Sequence, residues 1–188
     1  MNEQDNPVFE FARKHNIDLL GDIDSSPLLV PSFEVLDDIG SIWQHVTDTG
    51  ASYIFYKINY SDENGAIQST RTIAVIPAGE RTELAYFTQG AGTMVLDVHR
   101  GRGNLVIGYP DTGTTTSLPF DSKNVTQVIL PAGCFYTIQA DQAEHVVISG
   151  FYEHEPDGTE ISLQPGQDTV NVPEGIIHVP SDFMAAVV

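Results

Sequence analysis

The chain has 188 residues, 26 of them acidic against 8 basic, and a formal net charge of -18. Such a balance opposes nucleic acid and anionic membrane surfaces through long-range repulsion. A hydrophobic fraction of 41% with 18% charged residues belongs to a globular protein able to bury one substantial core, not to a disordered or membrane class.

From Asn6 the pattern Pro7, Val8, Phe9, Phe11, Ala12, with Leu19 and Leu20 further on, predicts a short amphipathic helix with Asn6 as N-cap, closed by Gly21. Residues 22–31, with Ser25, Ser26, Pro27 and Pro31, read as an extended connector. A weaker helical turn or two is expected over residues 35–46. From Ser52 the character changes, because β-branched and aromatic residues gather in short runs between turn signals. Strands are predicted over 51–60, 67–76, 83–89, 93–99, 104–109, 126–130, 135–139, 145–152 and, more weakly, 159–163. Many short strands without helices between them argue for an antiparallel barrel or sandwich. Beyond Gln164 come Pro165, Pro173, Pro180 and an apolar end from Phe183. Such an end is expected to be buried, closing the barrel or packing on a second subunit. The chain thus divides into a helical extension (1–50), a β-barrel (51–163) and a C-terminal arm (164–188).

Cys134 is the single cysteine, so no intramolecular disulfide can form. The first ten residues lack the basic and then apolar order of a secretory leader, and no apolar run nears the roughly 20 residues of a membrane span. A cytoplasmic protein is expected.

Two matching tetrapeptides, Ile76-Pro77-Ala78-Gly79 and Leu130-Pro131-Ala132-Gly133, are the most specific local signal. Glu83 is followed by a strand-like run to Gly90, and Pro131, Gly133 and Tyr136 keep a proline, glycine, then polar spacing. This arrangement resembles the two motif segments of the cupins, a family of small β-barrels. The resemblance implies a jelly-roll barrel, commonly paired as a homodimer. In cupins the first motif carries two histidines and a glutamate, and the second a histidine. Here the histidine pair is missing before Glu83, and Tyr136 stands where the second-motif histidine would be. No resident metal and no cofactor are therefore expected.

Alternation along a strand puts Cys134, Tyr136 and Ile138 on one face, and Glu83, Ala85 and Phe87 on another. Together they would line a mostly apolar lumen with Glu83 and Tyr136 as its polar groups, which suits a small-molecule pocket. Arg71 and Arg81 flank the motif strands and could hold a carboxylate or phosphate. The expected function is binding of a small polar or anionic organic ligand. The alternative is the acid/base chemistry that the resemblance implies, that of metal-free sugar or metabolite isomerases and epimerases of this barrel type, with Tyr136 or Tyr86 and His145 or His99 exchanging protons.

Overall fold

The computed structural model describes residues 42–46, 54–61, 67–152, 160–164, 166–172 and 175–187. The helix expected from Asn6 and the connector of residues 22–31 lie outside the described residues. In chain order the elements are β1 (Ile42–Val46), β2 (Ile54–Ser61), β3 (Ile67–Ile76), β4 (Ala85–Phe87), β5 (Met94–Arg100), β6 (Arg102–Tyr109), β7 (Thr114–Asp121) and β8 (Gln127–Leu130). They continue with β9 (Cys134–Ala140), β10 (Val146–Tyr152), β11 (Glu160–Ser162), β12 (Thr169–Val172), β13 (Gly175–His178) and helix α1 (Ser181–Ala186).

Two antiparallel sheets carry the fold. One has the order β1-β2-β3-β10-β5-β8 and the other β11-β4-β9-β6-β7, with β12-β13 as a separate hairpin. This is the mainly β architecture that the strand spacing predicts, consistent with the jelly roll that the resemblance implies. The chain passes between the sheets at corners. Gly101, with φ of 83°, joins β5 directly to β6, and a Cβ there would run into the His145 carbonyl. Only a residue without a side chain fits that bend.

The repeated tetrapeptides have a common role. Each ends a strand, β3 at Ile76 and β8 at Leu130, and each closes on a glycine in the left-handed region, Gly79 at φ 76° and Gly133 at φ 74°. The Gly79 N–H then donates to the Asp141 carbonyl at 2.9 Å and the Gly133 N–H to the Phe87 carbonyl at 2.7 Å. Proline stops the ladder by lacking a donor, and glycine turns the chain into the facing sheet.

Between the sheets lies a core built from Ile76, Phe87, Met94, Leu96, Leu105, Ile107, Phe120, Leu130, Cys134, Ile138 and Val146, with smaller neighbours. A second core lies outside the five-stranded sheet. There Leu84, Tyr86, Val106 and Phe135 are covered by Leu163, Val170, Val179, Phe183 and Val187. The C-terminal arm is thus folded against its own barrel, as a hairpin and a short helix. Its apolar residues bury on the back of β4, β6 and β9.

Two expectations change. Residues 42–46 form a strand and not a helical turn, because they pair along their whole length with β2, from Ile42 with Ile58 to Val46 with Ile54. Tertiary pairing overrides weak helical propensity here. Strand β7 has no counterpart among the predicted strands. Its sequence TTTSLPFD lacks apolar alternation and contains Pro119, which is tolerated because among the described strands β7 pairs with β6 alone.

Candidate functional site

Strand β9 is the axis of the site. Six of its seven residues are buried, since one face meets the lumen and the other the C-terminal arm. Cys134, Tyr136, Ile138 and Ala140 join the core between the sheets, whereas Phe135 joins the outer one. Thr137, fully buried, donates its hydroxyl to the Thr82 carbonyl at 2.9 Å, and the Ile138 N–H donates to Thr82 Oγ1 at 2.9 Å. These bonds satisfy the polar atoms that a strand buried on both faces cannot expose.

The structure brings together Phe87, Cys134, Tyr136 and Ile138, as alternation predicts. The Phe87 and Tyr136 rings meet edge to face, with centroids 6.5 Å apart and planes at 84°. Tyr136 sits between Ala85 on β4 and Ile107 on β6, and it keeps 8% of its surface open. It is the polar aromatic group of the lumen face, with its ring held by packing on both sides.

The other predicted site residues lie elsewhere. Glu83 precedes β4 and accepts a hydrogen bond from Ser162 Oγ at 2.8 Å, in an exposed position beside β11. Alternation does not reach it, because the segment before Ala85 is not in strand. The Arg81 guanidinium donates to the Val187 carbonyl at the end of the C-terminal arm. Arg71 lies in β3, in register with Ile58 and Phe151, and its side chain falls outside the described residues. His145 precedes β10, with its carbonyl against the Gly101 corner. Ile107, the partner of Tyr136, lies roughly 20 Å of strand beyond that corner at 3.3 Å per residue. The register therefore places the Tyr136 and His145 backbones at different levels of the barrel. Tyr86 and His99, the alternates for the same chemistry, face outwards. The Tyr86 ring packs on Phe135 at 4.9 Å, and His99 Nε2 shares a hydrogen bond with Ser149 Oγ at 2.8 Å.

Charge at the corner end belongs to the surface. Arg102 is half exposed and reaches Asp141 at 3.3 Å and Glu144 at 3.6 Å. The Ala143 backbone N–H, with Arg102 adding to it, holds the Asp141 carboxyl below its ordinary range. This turn uses its charges for itself.

The cupin motifs hold a metal through their histidines, and among the described residues those at the matching positions do not fit one. At the positions matching the motif ligands stand Glu83, turned to Ser162, and Tyr136. Cys134 shares the lumen face of Tyr136, but burial pushes its thiol up to about 12 from 9.0, and Sγ lies 2.9 Å from the Pro131 carbonyl, to which it donates. A thiol held as a donor is not a thiolate ligand. Among the described residues no three His, Cys, Asp or Glu side chains gather as a metal-ligating group.

Sequence reasoning missed the lumen-facing positions of β7. Leu118 pairs with Leu105, Thr116 with Ile107 and Thr114 with Tyr109. Since Leu105 and Ile107 face the lumen and Tyr109 packs against that core, their β7 partners share the face. Exposure rises along this face of the strand: Phe120 is buried at one end, Leu118 is half-buried, and Thr116 and Thr114 are exposed. The sandwich opens towards the β6–β7 turn. The β-branched run Thr114, Thr115, Thr116 was the available signal, and it carries no apolar alternation.

With this geometry the class of fold is defined: two antiparallel sheets joined at proline-glycine corners around an apolar lumen, a cupin-like barrel. Among solved structures the chain is similar to Lactobacillus farciminis oxalate decarboxylase in its formate complex. The TM-score is 0.51 and the identity 14%, over 68% of this chain and 34% of that one. It is also similar to a cupin 2 conserved barrel domain protein from Rhodopseudomonas palustris, at a TM-score of 0.45 and 13% identity, over 68% of this chain and 79% of that one. The chain spans about a third of the oxalate decarboxylase's length. At these identities the likeness concerns fold alone. No family model matches the sequence, and no curated protein matches it. Among the described residues no helix is long and apolar enough to cross a membrane.

Proposed function

We propose that this cupin-like barrel binds a small polar organic molecule at the lumen face, without a resident metal. One observation carries the reading: the lumen face is apolar throughout its packed part, with Tyr136 and the β7 threonines as polar groups at its open side. Apolar walls with a few placed hydrogen-bonding groups are the usual make-up of small-ligand sites. For an anionic ligand Arg81 is engaged at the arm, which leaves Arg71, whose side chain lies outside the described residues, as the predicted anion-holding group. The isomerase alternative needs Tyr136 and a histidine at one substrate carbon, and the strand levels of Tyr136 and His145 disfavour it. A homodimer remains part of the proposal. Its support is exposed apolar surface, at the edge strand β8, where Ile129 is 59% exposed and the preceding Val125 39%, and at Ile176 of the arm, 66% exposed. The buried, unreactive Cys134 suits a reducing, cytoplasmic compartment equally well.

Elemental mass spectrometry of protein purified without chelator tests the metal-free claim. Near-stoichiometric iron, manganese, nickel or zinc would overturn it. Tyr136→Phe separates binding from catalysis once a ligand is in hand. A binding module should lose about 1 kcal/mol of affinity, whereas an isomerase should lose turnover by a factor of about 100 with affinity nearly intact.

A further inference from the structure

We infer that the open side of the lumen is a site for a neutral polyhydroxylated ligand, a saccharide or polyol, with Thr114 and Thr116 as its hydrogen-bonding lip. This rests on the reading that the lumen takes a small polar molecule. It goes further by fixing where that molecule sits and what chemistry it has.

Three observations lead there. Register puts Thr114 and Thr116 on the lumen face, opposite Tyr109 and Ile107, yet both are exposed, unlike Phe120 further along the same face. Solvent therefore reaches the lumen side of β7 at this end. Second, the groups present there are hydroxyls beside apolar surface. Thr114 Oγ1 shares a 2.6 Å hydrogen bond with Thr112 Oγ1, and a hydroxyl has one donor and two acceptor positions, so each retains capacity for a ligand. Tyr109 is half-buried against the core next to them. A sugar presents the matching pattern, with hydroxyls around a ring whose C–H faces are apolar. Third, no charged side chain is buried among the described residues, and a chain of net charge -18 repels anions. A charged ligand would give up its hydration without a counter-charge.

The test is methyl NMR on the full chain with labelled threonine, isoleucine and leucine methyls, titrated to tens of millimolar with glucose, sucrose and inositol, and separately with glucuronate. At least one neutral probe should give saturable shifts at the Thr114 and Thr116 methyls. In the Thr114→Val/Thr116→Val double variant, near-isosteric and favourable to strand, affinity should fall about tenfold, as for one or two lost hydrogen bonds. Ser117→Ala, on the opposite face of β7, should leave it unchanged. Saturable shifts of Ile107 and Leu118 with glucuronate but not with the neutral probes would overturn the neutral ligand while keeping the lumen site. Saturable shifts confined to the outer face, or none with any probe, would overturn both.

Discussion

Phe183→Ala tests whether the C-terminal arm is an integral part of the barrel. The Phe183 ring is fully buried, stands 6.0 Å from Phe135 at 38°, and lies directly over Gly108. Truncating a buried Phe to Ala costs about 3–5 kcal/mol, and the value depends on how far the surroundings collapse into the space left. Collapse is limited here, because the floor of the site is the backbone of β6 at Gly108, where a Cβ would already stand within 2.9 Å of the Phe183 side chain. The upper half of the range applies, about 4 kcal/mol. For a protein of this length that corresponds to a fall in Tm of roughly 8–16 °C. Urea unfolding followed by circular dichroism, with m compared between variant and parent, is the assay. A loss below about 1 kcal/mol with m unchanged would show that the arm contributes little to the cooperative fold. A fall in m would mean that it detaches before the barrel unfolds.

Cys134 supplies a pH prediction. Its thiol is raised to about 12 from 9.0 by burial, so the unfolded chain loses this proton first as pH rises. Stability from this group is complete below pH 9 and declines between about 9 and 12, by at most ~1.4 kcal/mol per pH unit. Cys134→Ser or Cys134→Ala should flatten that limb of a stability-against-pH curve measured by urea titration. A thiol reagent at pH 8 should label the native protein far more slowly than the urea-unfolded one. Thr115→Val should be neutral or stabilising by up to about 1 kcal/mol, because Thr115 Oγ1 is buried with no hydrogen-bond partner among the described residues; a clear loss in thermal unfolding would reveal a bond that the hydroxyl makes. Ile129→Glu places a charge on the exposed edge strand β8 and should shift sedimentation from dimer to monomer without lowering Tm. A parent protein that sediments as a monomer would remove the dimer proposal.

Much of the barrel was legible because its signals are local. The tetrapeptides Ile76–Gly79 and Leu130–Gly133 carry both the stop and the turn, so strand ends at β3 and β8 follow from proline and glycine chemistry. The grouping of Phe87, Cys134, Tyr136 and Ile138 followed from alternation, which holds wherever a residue is truly in strand. Glu83 escaped that logic by standing outside β4, and motif spacing could not show that Ser162, a residue distant in sequence, would claim its carboxylate. Arg81 escaped for a similar reason, since its partner is the Val187 carbonyl at the far end of the chain. Strand β7 was hidden by composition. A strand whose lumen-facing residues change from Phe120 and Leu118 to Thr116 and Thr114 has no periodicity to read, and its pairing with β6 alone establishes it.

The two cores explain why access to the lumen should be sought at β7. In β4 and β9 the lumen side is packed by one core and the outer side by the arm, so every side chain from Ala85 to Phe87 and from Cys134 to Ile138 is buried. Burial on both faces suppresses the polar alternation that an antiparallel strand ordinarily shows, and it leaves Tyr136, with 8% of its surface open, as the polar lumen-facing side chain of these strands. Strand β7 differs on both counts. It has one strand neighbour among the described elements, and its lumen side leaves the packed core after Leu118. A ligand entering there would meet the threonine hydroxyls before it reached the ring of Tyr109. Specificity would then reside in residues that alter little when truncated alone, since exposed hydroxyls contribute to affinity without supporting the fold. Loss of affinity in the threonine double variant at constant Tm is therefore the pattern that distinguishes a binding lip from a structural edge.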